Sequence, residues 1–346
     1  MPILLDAVFI NNGGGETILD ILISDIIKKN QDYYFLLDIR LLGKYSHIEK
    51  SKIKFIKPSI LDRHKFYKCN KNKFSSVFTL SNIPPTIRLD CNVYTYFHNA
   101  NYFNNDISLF KSFNTSLFFK KYFIKFFKNN TDKWIVQSNY MKQSLSLFLQ
   151  INNNILIYPI FNEISTTQFL NYNNRNYNEF KDKIVFFYVS DGNKHKNHIR
   201  LIEAFQKHNK NFPNDRLKLT VSYKFKKITT KINSLKISGT NIDNIGIVSK
   251  EILEKEYLKS DIFIYPSLNE SFGLGLVEAI SYGLPIISSD LPYVHEIIEP
   301  NYTFNPTSVK DIFDKLRMSR NLFHNKSFLK IVNKSTFLLD YIYERN

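Results

Sequence analysis

The chain has 346 residues, of which 43% are hydrophobic, enough for packed cores in about two domains of ordinary size. Charged residues make up 23% with both signs interleaved, which excludes a disordered or collagen-like chain. The formal net charge of +16 is spread over both halves and favours anionic partners, namely nucleic acid, a phospholipid surface or phosphorylated substrates.

In the first half, short β-branched and aromatic runs alternate with helical patterns. Strands are predicted at Ile3–Ile10, Tyr33–Asp38, Lys54–Ile56, Asn92–Phe97 and Lys133–Gln137. Helices are predicted at Thr17–Lys29, Phe118–Lys128 and Met141–Leu149. This alternation predicts βαβ units and a parallel sheet covered on both faces.

The same alternation restarts near residue 183. Strands are predicted at Ile184–Val189, Leu217–Ser222, Ile245–Val248, Ile262–Tyr265 and Ile286–Ser288. Helices are predicted at Asn197–His208, Lys250–Lys259, Leu274–Tyr282 and finally Ser327–Tyr343, with no strand after the last one. The joint lies between residues 160 and 181, where Asn171–Asn178 is polar and aperiodic. We therefore predict an α/β protein with domains at 1–165 and 166–326, and a C-terminal helix within 327–346.

One stretch, Asp261–Glu296, combines the features of an anion site. A strand is followed by the loop SLNESFG and a helix, so the backbone N–H groups of Phe272, Gly273 and Leu274 would face a phosphate. Glu270 and Glu278 bracket this turn, and carboxylates accept hydrogen bonds from vicinal hydroxyls. The alternative is that Glu270 caps the helix and Glu278 is a solvated helix residue.

The run PSLNESFGLGLVEAISYGLPI resembles the donor-binding signature of the retaining glycosyltransferases of family four. The resemblance implies a GT-B fold, in which two Rossmann-like domains face across a cleft and the C-terminal helix returns to the N-terminal domain. It also implies that Glu270 lies against the donor sugar and Glu278 holds the ribose hydroxyls. The three amides would then hold the diphosphate.

Weaker similarities to this family extend through the second half. In Ile184–Phe205 the family's Lys–Asn/Gly pair falls on Lys196 and Asn197, and Lys196 would compensate the charge of the leaving diphosphate. Many members carry Arg where this chain has Asp191, so Lys194 is a candidate substitute; the alternative is a solvated basic loop. Further on, Ile247 and Val248 are candidate contacts of the nucleotide base, with ordinary core as the alternative.

The first half supplies two further candidates by resemblance. His98 follows a predicted strand, where the family often places a histidine near the donor sugar, although a lone histidine is more often structural. Gly15 belongs to Gly13–Gly15, which matches a glycine-rich loop of the family near the sugar and acceptor. Taken alone, three glycines indicate only a tight turn between a strand and a helix.

The sequence also lacks several motifs. It has no Asp-x-Asp triplet of the kind that holds a divalent cation on the donor in GT-A enzymes, so we expect no metal and no other cofactor. It has no RNP-like motif, helix-turn-helix signal or basic tail, so we expect no nucleic acid partner. A disulfide framework, a basic signal-peptide region and an apolar run near 18 residues are also missing, and we expect a cytoplasmic protein.

The predicted helix Phe118–Lys128, with the sequence FFKKYFIKFFK, carries aromatic and basic residues on opposite faces. Only Ile124 breaks this pattern. An interfacial helix on an anionic membrane has this character, and so does a domain helix that packs its aromatic residues inward. Both interpretations stay open from the sequence.

These observations predict a retaining hexosyltransferase that moves a hexose from a nucleotide-diphosphate sugar to a glycan or lipid-linked acceptor. The resemblance and the basicity favour bacterial surface polysaccharide synthesis of the O-antigen or capsule type, with peripheral attachment to the inner face of the membrane. The alternatives are a non-catalytic nucleotide-sugar-binding relative, a GT-B epimerase or phosphorylase, and, least favoured, a nucleic-acid-binding protein.

Overall fold

The computed structural model describes residues 1–103, 115–163, 182–322 and 326–345. It divides into two compact units, one formed by Met1–Asn162 together with Val332–Asn346, the other by Glu163–Ile331. The sequence-based boundaries lie within five residues of these divisions. The polar segment Asn171–Asn178 lies outside the described residues.

The first unit is built on a seven-stranded parallel sheet with strand order β3-β2-β1-β4-β5-β6-β7. Its strands are β1 (Ile3–Ala7), β2 (Tyr33–Asp38), β3 (Ile53–Ile56), β4 (Ser76–Thr79), β5 (Asn92–Tyr96), β6 (Lys133–Val136) and β7 (Ile155–Ile157). Its first helices are α1 (Gly13–Lys28), α2 (Ile60–Cys69), α3 (Thr115–Phe126) and α4 (Asn139–Leu149). All five residues of β1 are buried, because helices cover both faces of a parallel sheet.

The predicted strand Ile3–Ile10 was three residues too long. The chain turns after Ala7, where the Ile10 N–H donates to the Ala7 carbonyl at 3.0 Å and the Val8 N–H donates to the Asp6 carboxylate at 3.1 Å. Strands β4 and β7, with four and three residues, were not predicted, and apolar runs this short do not distinguish a strand from other structure by periodicity alone.

The last helix, α11 (Ser335–Tyr343), belongs to the first unit. Leu338, Leu339 and Ile342 are fully buried in the core of that unit. Lys29 at the end of α1 forms an ion pair with Asp340, with 2.5 Å between Nζ and Oδ1. The final 15 residues therefore complete the hydrophobic core that begins with β1.

The predicted helix Ser327–Tyr343 began too early. Its first part contains β15 (Phe328–Leu329), which pairs antiparallel with β13 (Ile298–Glu299). The Ser335 hydroxyl donates to the Asp25 carboxylate at 2.6 Å near the actual start of α11. The predicted helix therefore included a short strand that the sequence pattern did not reveal.

The second unit contains a six-stranded parallel sheet with strand order β10-β9-β8-β11-β12-β14. Its strands are β8 (Val185–Tyr188), β9 (Arg216–Leu219), β10 (Ile242–Asn244), β11 (Ile262–Tyr265), β12 (Ile286–Ser289) and β14 (Tyr302–Phe304). Its helices are α5 (His198–Asn211), α6 (Lys226–Ile237), α7 (Lys250–Lys259), α8 (Leu274–Ser281), α9 (Pro292–Ile297) and α10 (Val309–Ser319).

The predicted strand Ile245–Val248 was placed too late, because β10 ends at Asn244. The Asn244 side chain bonds the backbone N–H and carbonyl of Val221, both at 2.8 Å, and Gly246 adopts a left-handed φ of 70°. The chain therefore leaves the sheet before the apolar residues that suggested a strand.

Helix α3 exposes most of its aromatic residues. The exposed fractions are 58% for Phe118, 69% for Tyr122 and 72% for Phe126, whereas Ile124 is completely buried. The residue that interrupts the aromatic pattern is thus the one that packs on the core. The interpretation of α3 as a helix that packs its aromatic face inward was wrong.

The burial pattern of α3 predicts opposite outcomes for two alanine substitutions on one helix. Ile124→Ala should lower the free energy of unfolding by about 2–5 kcal/mol, because it opens a cavity in the core. Phe126→Ala should change it by less than about 0.5 kcal/mol, because the removed ring is mostly exposed. Urea denaturation measures both values; a large loss for Phe126→Ala would contradict the exposed aromatic face.

Candidate functional site

The turn between β11 and α8 has the backbone conformation of an anion-binding turn. Gly273 adopts a φ of 85°, a left-handed conformation that strains other residues, and α8 begins at the next residue. Gly275 packs on the Tyr265 ring, where an added Cβ would lie 3.3 Å from a ring carbon. The amides of Phe272, Gly273 and Leu274 therefore stand at the start of α8, where the helix dipole favours negative charge.

The structure brings Lys196 and Glu270 together. The Lys196 Nζ lies 2.8 Å from Glu270 Oε1, and both side chains are largely buried. Burial alone lowers the pKa of Lys196, but the Glu270 carboxylate more than offsets this, so the pKa lies above its ordinary value. The helix cap is Gly273, so the interpretation of Glu270 as a cap was wrong.

Asn197 fixes the loop that carries Lys196. Its backbone is left-handed with a φ of 61°, which asparagine tolerates better than most residues. Its buried side-chain amide donates to the carbonyls of Pro266 and Pro306, at 3.0 and 2.7 Å. Since Pro266 directly follows β11, these bonds tie the Lys196 loop to the loop that carries Glu270.

Glu278 lies inside α8 and is partly buried. Its Oε2 accepts a hydrogen bond from the Tyr257 hydroxyl at 3.0 Å, and the Tyr257 ring stacks on Tyr282 with centroids 4.7 Å apart. Burial raises the pKa of Glu278 above its ordinary range, and the bond from Tyr257 opposes that shift. The interpretation of Glu278 as a solvated helix residue was therefore wrong.

The remaining candidates of the second unit lie in accessible loops. Lys194 is exposed in the short turn that ends at Lys196, and the Asp191 carboxylate accepts hydrogen bonds from Asn193. Ile247 is 80% exposed and Val248 is partly buried, so ordinary core does not describe Ile247.

In the first unit, the structure places Gly15 beside His98. A Cβ at Gly15 would lie 3.2 Å from His98 Nε2, so any other residue at this position would require the His98 ring to shift. Gly13–Gly15 form the first turn of α1 and not a loop before it. The backbone N–H of His98 donates to the Asn82 side-chain oxygen at 2.6 Å. Burial lowers the pKa of the His98 imidazole to about 4.

Several positioning residues were missed at the level of sequence. Asn82 holds the His98 backbone, Tyr257 holds Glu278, and Tyr265 hydrogen-bonds Glu270. Asn82 and Tyr257 lie 16 and 21 residues from their partners. No local spacing rule identifies such pairs.

Two units, each with a parallel sheet covered by helices, define the chain as a GT-B protein. Sucrose-phosphate synthase from Thermosynechococcus elongatus is similar with a TM-score of 0.71 at 13% identity, covering 99% of this chain and 98% of that one. HepE from Anabaena, solved with UDP and glucose, has a TM-score of 0.65 at 13% identity, covering 92% and 90%.

Residues 172–319 match the family model of the glycosyl transferases group 1. A glycosyltransferase of uncharacterized function from Methanocaldococcus jannaschii is 30% identical over 172 residues, which are 48% of this chain and 41% of that protein. The O-antigen chain mannosyltransferase RfbU of Salmonella typhimurium is 39% identical over 51 residues, or 15% and 14%. These matches thus span less than half the length of either relative.

The neutral state of His98 predicts a loss of stability in mild acid. Its pKa is about 4 in the fold and about 6.5 in an unfolded chain, so the unfolded state binds the extra proton first as the pH falls. The free energy of unfolding should therefore fall between pH 6.5 and 4, by about 3 kcal/mol from this residue.

Denaturant titration across this pH range measures the effect. His98→Gln should reduce the dependence without abolishing it, because burial also lowers the pKa of His198 to about 4. Equal slopes for the wild type and His98→Gln would contradict the burial of a neutral imidazole.

Proposed function

We propose that the protein is a retaining hexosyltransferase that uses a nucleotide-diphosphate sugar and needs no metal ion. The Lys196–Glu270 ion pair beside the glycine turn of α8 is the observation that carries this proposal. Together, this ion pair and turn provide a cation and helix-end amides that can bind a diphosphate. They also provide a carboxylate that can accept hydrogen bonds from sugar hydroxyls. These groups fall within residues 172–319, which match the family model of the glycosyl transferases group 1.

Each group then has a defined task. The amides of Phe272, Gly273 and Leu274 hold the diphosphate, and Lys196 neutralises the charge that this group gains as the glycosidic bond breaks. Glu270 orients the hexose, and Glu278, held by Tyr257, binds the ribose hydroxyls. Ile247 and Val248 border the base, Lys194 adds positive charge, and His98 with Gly15 serves the sugar and acceptor side.

In this proposal the chemistry relies on positioning and electrostatics. The leaving phosphate takes the proton of the acceptor hydroxyl on the same face of the sugar as the new bond forms. The donor's anomeric configuration is therefore retained, which NMR of the product linkage detects.

The proposed acceptor is a glycan or lipid-linked intermediate of bacterial surface polysaccharide synthesis. The name of the matched Salmonella relative and the basic, aromatic α3 support this part of the proposal. No helix among the described residues is long and apolar enough to cross a membrane. The proposed location is the cytoplasm, with α3 against an anionic inner membrane surface.

A thermal-shift panel of nucleotide-sugars, followed by a transfer assay with the donor that binds, tests the proposed function. A ligand at 100 times its dissociation constant should add about 2.7 kcal/mol to the free energy of unfolding. Binding without transfer to any acceptor, and without hydrolysis, would favour a non-catalytic nucleotide-sugar-binding protein. A panel in which no donor stabilises the chain would overturn the proposal.

The two carboxylates should differ in their kinetic effects. Glu278→Ala should raise the donor KM more than it lowers kcat, because ribose contacts act in the ground and transition states alike. Glu270→Ala should mainly lower kcat, because it removes a contact at the reacting sugar. Glu270→Gln separates this effect from misfolding, since it keeps the shape of the side chain; wild-type kinetics in both alanine variants would refute the assignment.

Transfer should survive EDTA, because amides and Lys196 take the place of a cation on the diphosphate. Lys196→Ala should lose a charge-assisted contact worth about 1.5–3 kcal/mol of binding or activation free energy. Lys194→Ala, two residues away and exposed, is the matched control and should have a smaller effect. Strict dependence on added magnesium or manganese would contradict this prediction.

A further inference from the structure

A cavity of about 520 Å³ lies between α3 and α4 in the first unit. Its lining combines aromatic rings with two lysines; the main contributors are Phe103, Phe118, Lys121, Tyr122, Lys125 and Phe148. Its volume is in the range of small-molecule sites, which are concave, mainly apolar and supplied with a few polar groups.

Two cations of the cavity lie one helical turn apart, at Lys121 and Lys125. The Lys125 Nζ stands 4.9 Å from the centre of the Phe148 ring. Burial and the charge of Lys125 lower the pKa of Lys121. Lysine ammonium groups form charge-assisted hydrogen bonds with anionic oxygens, so these two residues supply the cavity with groups that can bind an anion.

The surroundings reinforce the positive charge. Residues 115–131 include four lysines and no acidic residue. Ser144 of α4 adds a hydroxyl to the lining, a group that can donate to an anionic oxygen.

Part of the apolar lining is open to solvent. Phe118, Tyr122 and Leu147 all line the cavity and are 58%, 69% and 82% exposed. A free phosphate has no apolar part, so it would leave these exposed apolar side chains in contact with water. They suit a ligand that carries a hydrocarbon chain next to its anionic group.

We propose that this cavity binds a single anionic membrane lipid, with its phosphate between Lys121 and Lys125 and its chain carbons against Phe118, Tyr122 and Leu147. The inference deepens the membrane contact of the proposed function. It replaces a diffuse attraction between charged surfaces with a stoichiometric site.

Calorimetric titration of the full-length protein with dihexanoyl phosphatidylglycerol, kept below its micelle concentration, tests the site directly. Saturable binding with one lipid per chain is expected. Dihexanoyl phosphatidylcholine and inorganic phosphate should each bind at least about tenfold more weakly, because one lacks net charge and the other lacks a chain. Equal binding of inorganic phosphate, or no saturable binding of the anionic lipid, would overturn the proposal.

Three single substitutions on α3 separate the cavity from diffuse charge. Lys121→Gln and Lys125→Gln should weaken lipid binding about tenfold or more, since each removes a charge-assisted contact. Lys120→Gln removes the same charge from the same helix outside the cavity lining, and should change the affinity by less than about twofold. Equal losses in all three variants would show nonspecific surface attraction and overturn the inference.

A second matched pair tests the apolar part. Tyr122 and Phe126 are almost equally exposed, but only Tyr122 lines the cavity. Tyr122→Ser should therefore weaken lipid binding severalfold and Phe126→Ser should not; equal losses would contradict the site. Donor binding measured on the same samples keeps the two proposals apart, because failure of lipid binding with intact donor binding refutes only the lipid site.

Discussion

The side-chain amide of Asn197 is the contact on which the candidate site depends most. It joins its own loop to two others, 69 and 109 residues further along the chain, through bonds to the carbonyls of Pro266 and Pro306. Lys196 directly precedes Asn197, so the bonds of Asn197 fix the backbone from which the Lys196 ammonium group reaches Glu270. A preorganised cation costs little reorganisation when charge develops on a ligand, which is the usual source of electrostatic catalysis.

Much of this arrangement could be predicted from the sequence. Strands β2 and β11 and helix α7 have their predicted bounds. Strand β11 is followed directly by Pro266, a residue that commonly marks the end of a strand. The turn at Gly273 follows from a glycine placed between a buried strand and an apolar helix. Sequence patterns could not reveal that Tyr257 holds Glu278 or that Asn82 holds His98, because these contacts depend on how separate elements meet.

Helix α3 illustrates a different limit. Helical periodicity separated its aromatic residues from its lysines, but it could not tell which side meets the core. Ile124 decides the orientation, because its fully buried side chain fixes α3 on the unit and leaves Phe118, Tyr122 and Phe126 outward. The burial of one aliphatic residue therefore outweighs the average character of the helix, and makes an aromatic surface available for ligands.

The return of α11 to the first unit has a consequence for how the chain folds during synthesis. The core around β1 is incomplete until Leu338, Leu339 and Ile342 have left the ribosome. At roughly 5–20 residues per second, translation of the intervening second unit takes on the order of ten to thirty seconds. During that time the nascent first unit exposes an apolar seam beside α1, a natural target for chaperones, while the second unit, continuous in sequence, can fold ahead of it.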